Sequence, residues 1–114
     1  MKLLNLKQFR ELPNGVVFAK YSTCNFEEWQ IKSDTWESDF LSQPLLDIDS
    51  DTFGNHVDAC LSFDSIKEAG VDFHNVGRDG LFEAKQLFAV LEKHEVRGLI
   101  ERLEQTLVEG YSNV

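Results

Sequence analysis

The chain is short of cysteine and proline, has no long apolar run, and carries almost no positive charge in its middle third. Two cysteines, Cys24 and Cys60, in 114 residues are too few for a disulfide scaffold, so the expectation is a cytosolic protein with buried thiols, a single disulfide being the alternative. No stretch approaches the roughly 18 apolar residues of a membrane span. The opening "MKLLNLKQFREL" is charged throughout and does not read as a secretory signal. The expected location is the cytoplasm. No P-loop, nucleophile elbow or zinc-protease helix is present. His56, His74 and His94 stand beside no cysteine at metal-ligand spacing, although a fold could still gather Cys24, Cys60 and His56. No cofactor is expected, and the chain reads as a non-enzyme.

What is present is apolar bulk and negative charge. A content of 42% hydrophobic and 11% aromatic residues, nine of them phenylalanine, suits one folded domain over residues 1–114. The net charge of −9 is unevenly placed. Residues 1–33 carry +2 and residues 73–114 carry −2, whereas residues 34–72 hold ten acids against Lys67 alone. Such a field repels nucleic acid and anionic membrane, so direct binding to either is not expected; it attracts a basic protein surface. A merely solvated acidic face is the alternative.

The periodicity predicts an α+β fold: a small antiparallel sheet of three to five strands packed against two or three helices. Asn5 and Gln8 form a capping-box pattern, with Leu4 and Phe9 at the staple positions. Leu6, Phe9 and Leu12 share the inner face of this short helix, and Pro13 ends it. "VVFAKY" (16–21) and "FEEWQIKS" (26–33) predict an antiparallel strand pair. In the second strand Trp29 and Ile31 point inward and Gln30 and Lys32 outward. Residues 34–52, interrupted by Pro44, predict a loop with a short strand near 45–48. A helix over 52–69 follows, capped by Ser50 or Asp51 and stopped by Gly70. Strands are expected at 71–76 and 86–92, with a turn at 77–80 that holds Arg78. The last helix runs from Lys93, with Val96, Leu99, Ile100, Leu103 and Leu107 on one face.

"DIDSDTFGNHVD" (47–58) partly matches a calcium loop. Asp47, Asp49 and Asp51 would supply positions 1, 3 and 5, Asn55 position 9 and Asp58 position 12. Thr52 replaces the turning glycine, aspartate replaces the final glutamate, and Pro44 interrupts the entering helix. The competing reading makes Asp49 or Asp51 a helix cap, with Asp47 favouring the positive helix end.

"LKQFRELPNGVVFAKY", "VGRDGLF" and "QLFAVLEKHEVRGLIERLEQTL" resemble small acidic hypothetical proteins of phages and prophages, a likeness spread over most of the chain. The resemblance implies an inhibitor of a host system, of the anti-CRISPR or anti-restriction kind, acting in the host cytoplasm on a protein with a basic surface. The net-positive N-terminal third sets the chain apart from full nucleic-acid mimics. Asp34, Glu37, Asp39, Asp47, Asp49 and Asp51 are the expected charged contacts, and Trp36, Phe40 and Leu41 the expected apolar anchors. A calcium module and a structural accessory protein are the alternatives.

Overall fold

The computed structural model describes residues 1–36, 39–78 and 84–112, and the side chains of Trp36 and Arg78 fall outside that description. Element order begins β1 (Lys2–Asn5), α1 (Leu6–Arg10), β2 (Val17–Ser22), β3 (Asn25–Phe26), β4 (Gln30–Trp36), β5 (Asp39–Pro44) and β6 (Asp47–Ile48). It continues with α2 (His56–Ile66), β7 (Val71–Asp72), β8 (Gly77–Arg78), β9 (Leu87–Val90) and α3 (Lys93–Tyr111). The fold is α+β. One antiparallel sheet has the order β1-β9-β2-β4-β5-β8, with β3 paired to β2, and a second sheet pairs β6 with β7. The main sheet holds more strands than the periodicity predicted. β3 and β8 span two residues each, too short to show a period of two.

The core follows from α1. The Asn5 side chain accepts a hydrogen bond from the Gln8 amide at 2.8 Å, and the Gln8 side chain accepts one from the Asn5 amide at 3.0 Å. This reciprocal cap starts a helix of five residues, too short to be stable without packing. Its Phe9 is fully buried and supplies that packing. The Phe9 ring stacks on Phe88 at 4.3 Å and meets Phe18 at 4.6 Å and Phe40 at 5.0 Å. Four elements, α1, β2, β5 and β9, thus contribute one phenylalanine each to a single cluster, edged by Leu4, Leu6, Leu12 and Val16.

Pairing register reverses the expected faces of β4. Phe18 is opposite Gln30, and Val17 is opposite Ile31. Cross-strand partners share a face, so Gln30 and Lys32 lie on the phenylalanine side and Ile31 on the other. Lys32 is only 2% exposed. Its aliphatic stem is covered, and its ammonium donates to the Ser33 carbonyl at 3.3 Å and to Thr35 Oγ1 at 3.2 Å. Burial pushes this ammonium below the usual lysine range, with Asp34 opposing the shift and Arg10 adding to it.

Residues 39–44 also depart from expectation, forming β5 rather than a loop. Phe40 is fully buried and Asp39 nearly so, its carboxylate accepting from the Phe40 amide at 2.7 Å. Neither thiol is fully buried: Cys24 is exposed, Cys60 is half-buried, and both are free. Of the turn expected at 77–80, Gly77 and Arg78 form β8, and the remainder lies outside the described residues.

Two outcomes test this core. Phe9→Ala is expected to cost about 3–5 kcal/mol in urea denaturation. Phe73→Ala, at a position 60% exposed, is expected to stay within about 0.5 kcal/mol of the parent. For Lys32, the folded state holds the proton less tightly than the unfolded chain. The cost of burying its charge is full below the folded pKa and is relieved as pH rises towards the unfolded one. Stability should therefore climb with pH in that alkaline window, and Lys32→Met should remove the climb in midpoints measured stepwise from neutral to alkaline pH.

Candidate partner-binding surface

The charged middle of the chain becomes a separate unit, β6–α2–β7. Its backbone is organised by its own carboxylates and amides. The Ile48 amide donates to Asp47 Oδ1 at 2.8 Å and the Asp51 amide to Asp49 Oδ1 at 3.0 Å. Asn55 is the helix cap: its Oδ1 accepts from the Asp58 amide and its Nδ2 donates to the Asp58 carboxylate, both at 2.8 Å. The expected caps, Ser50 and Asp51, lie too early, because residues 50–54 first make a turn in which Phe53 and Gly54 both donate to the Ser50 carbonyl. Asp58 in the first turn suits the positive helix end. α2 closes at Lys67, which takes the left-handed φ of 70° in place of the expected Gly70. Gly70 instead permits close approach, since a side chain there would meet the Asp49 Cβ at 3.3 Å.

These bonds engage the side chains that the calcium reading would use as ligands. Asp47 lies in a strand, Asp49 closes on the Asp51 amide, and Asn55 and Asp58 bond each other. Among the described residues, the carboxylates of 47–58 do not gather within ligand distance of one another. The one group that does is Glu92, His94 and Glu95. There the Met1 ammonium contacts Glu95 and Glu92, and Lys2 lies 3.4 Å from Glu92. The Glu95 carboxyl is held below its usual range by the Met1 ammonium and then by the Glu92 amide. These carboxylates start α3 and fasten it to β1.

Surface character sets β6–α2–β7 apart. Residues 47–72 carry seven acids and one base, Lys67. Asp47 stands directly opposite Asp72 across the β6–β7 pair, and such like-charge neighbours destabilise a sheet. Asn75 Nδ2 at 3.4 Å and His56 Nε2 at 3.5 Å lie against Asp47. Among the charges lies apolar surface. Ala59 is the only buried residue of α2, whereas Val57, Leu61, Phe63 and Ile66 are exposed. Leu46, Ile48, Phe63 and Val71 line an open hollow of about 170 Å³ together with Asp47.

The fold brings His56 to Cys60, one helical turn apart, and not to Cys24. Cys60 Sγ lies 3.7 Å from His56 Nδ1 and 3.8 Å from Nε2. The sulfur thus faces both ring nitrogens nearly equally and lines up with neither, unlike a thiol poised on a general base.

The expected contact residues separate into three groups. Asp47, Asp49 and Asp51 belong to this unit. Asp34 is exposed on β4, bonded to Asn14 Nδ2 at 2.7 Å; Trp36 closes the same strand, and Glu37 lies outside the described residues. Asp39 and Phe40 are withdrawn into the core and Leu41 is half-buried in β5, so Phe40 is corrected from an anchor to a core residue. The sequence does not mark Phe63 and Val71 as accessible apolar groups, it offers Asp58 only as a calcium ligand, and it leaves Asp64, Glu68 and Asp72 outside the expected contacts. The available signal was that the apolar residues of 53–66 form no narrow stripe, as in a helix with little core to face.

No family model, curated protein or solved structure matches the chain. Among the described residues, no helix is long and apolar enough to cross a membrane.

Because Asp47 and Asp72 repel across the sheet, Asp72→Asn should raise stability by about 0.2–1 kcal/mol. Its side-chain oxygen can still accept from the His74 amide, as Asp72 does at 2.7 Å. Thermal melts at low and high salt should show the gain shrinking as salt screens the pair.

Proposed function

We propose that this chain is a non-catalytic binding protein that docks on, and blocks, a protein with a basic surface through its β6–α2–β7 unit. The observation that carries this reading is the hollow of Leu46, Ile48, Phe63 and Val71 set within a segment of seven acids and one base. An apolar hollow with Asp47 on its wall, in an acidic segment, suits the long side chains of a basic surface, whose stems are apolar and whose ends are cationic. Complementary charge speeds the encounter, and desolvated apolar contacts at the centre slow dissociation. The like-charge pair of Asp47 and Asp72 is relieved when a cationic partner arrives. Blocking, rather than mere binding, rests on the resemblance to small phage-encoded proteins. A host protein that handles nucleic acid is the class of target whose surface fits.

The test is capture from nuclease-treated bacterial lysate, taken from strains with active defence systems. Wild-type bait is compared with an Asp51→Lys, Asp64→Lys, Glu68→Lys variant. All three positions are exposed, so the fold should survive. The expected result is a stoichiometric basic protein on wild-type bait only, with affinity for the purified partner falling at least about tenfold as salt rises from low to moderate. Equal capture by both baits, or no stoichiometric protein at low salt, overturns the proposal in favour of a solvated acidic face.

A further inference from the structure

We infer that α3 is the dimerisation element of this protein, pairing antiparallel with α3 of a second copy. From Ile100 to Tyr111 every residue of α3 is exposed, and only its beginning rests on the sheet. A helix standing in water needs strong intrinsic propensity, yet this one carries Gly98, Thr106, Val108 and Gly110. Its helical state therefore depends on covering its apolar stripe. The molecule as a whole carries the same signature of uncovered surface. Its accessible area is 8406 Å², whereas a compact monomer of its mass exposes about 6,400 Å². Its radius of gyration is 16.2 Å, against about 13 Å for a compact chain of this length.

The stripe is laid out for another helix. Val96, Ile100, Leu103 and Leu107 follow one another at steps of four, three and four, the 3.5-residue period of a two-stranded seam. Run antiparallel against itself, the seam sets Val96 on Leu107 of the second copy and Ile100 on Leu103, each contact occurring twice. That register has one charge consequence. Arg97 and Glu104 flank the seam on the same side, seven residues apart, and each Arg97 then stands beside Glu104 of the other copy. Two symmetry-related ion pairs result, as a two-fold interface requires. A parallel pair would instead set Glu104 against Leu99 and bring both sheets to the same end.

The area suffices for a reversible dimer. Ile100, Leu103 and Leu107 are 51–63% exposed, roughly 100 Å² each, so the apolar seam of two copies covers on the order of 600 Å² before Val96 and the arginine and glutamate stems are counted, the size of a weak, reversible contact. The acidic unit plays no part in this seam, so dimerisation and partner binding are separable.

The experiment is sedimentation equilibrium of the full chain across about two decades of concentration around the micromolar range, with far-UV circular dichroism of every variant. Wild type is expected to dimerise reversibly, and Leu103→Glu to weaken the dimer at least about 100-fold. Arg97→Glu alone and Glu104→Arg alone should each weaken it about tenfold through like-charge contacts. An equimolar mixture of those two variants should pair with wild-type affinity, because the antiparallel register then sets unlike charges together at both sites. The triple lysine variant of the acidic unit should dimerise as wild type does. A wild type that stays monomeric with α3 helical overturns the inference. So does a dimer indifferent to Leu103→Glu, a mixture that pairs no better than its components, or a dimer lost in the triple lysine variant. Should Leu103→Glu fail to fold, the charge variants alone decide, since Arg97 and Glu104 are exposed.

Discussion

The Phe9 ring is the contact on which the remaining architecture hangs. It reaches Phe88, Phe18 and Phe40 at centroid distances of 4.3–5.0 Å, and those three residues belong to three strands of one sheet. Each aromatic pair adds about 0.5–1.5 kcal/mol beyond the area it buries. One short helix therefore closes one face over β9, β2 and β5 together. The reciprocal Asn5–Gln8 cap matters because it points Phe9 at that spot. Without Phe9 the helix loses its one fully buried side chain, and without the cap Phe9 has no fixed approach.

Stability is concentrated around this cluster and thins outward. β5 leads from the cluster into β6 and the acidic unit, where α2 buries Ala59 and little else. On the other side β9 leads directly into α3, in which every residue from Ile100 to Tyr111 is exposed. Elements with few buried apolar contacts open locally at low free energy, and their surfaces are those free to engage another molecule. The two thinly supported regions differ in chemistry. The acidic unit mixes carboxylates with an apolar hollow, which suits a cationic partner. The helix carries a regular apolar seam with balanced flanking charges, which suits a copy of itself.

Local signals are legible in the chain where they are short-range and redundant. The Asn5–Gln8 box, the strands around 17–22 and 87–90, and the period of α3 each rest on residues within a turn or two of one another. The acidic weight of the middle third was also plain in the order of residues. The errors share a cause. Alternation within 26–33 has two solutions, and only the pairing of Phe18 with Gln30 selects the one that buries Lys32. Pro44 interrupts the run and suggests a loop through Phe40, but in the fold Pro44 closes the strand. Ser50, Asp51 and Asn55 are equally good caps of α2 by type, and the turn at Ser50 passes the role to Asn55.

By itself, then, the order of residues determined the three helical segments and the strands around 17–22, 30–33 and 87–90, that the class is α+β, and where the negative charge is concentrated. Those properties depend on neighbours in the chain and on composition. Tertiary structure alone decided which side of β4 is buried, that Phe40 belongs to the core, and that Asp47 faces Asp72. It also decided that Phe63, Val71 and the stripe of α3 remain uncovered. Each of these depends on register and packing between segments distant in sequence, and an apolar residue looks the same in a sequence whether its cover comes from the same chain or from another molecule.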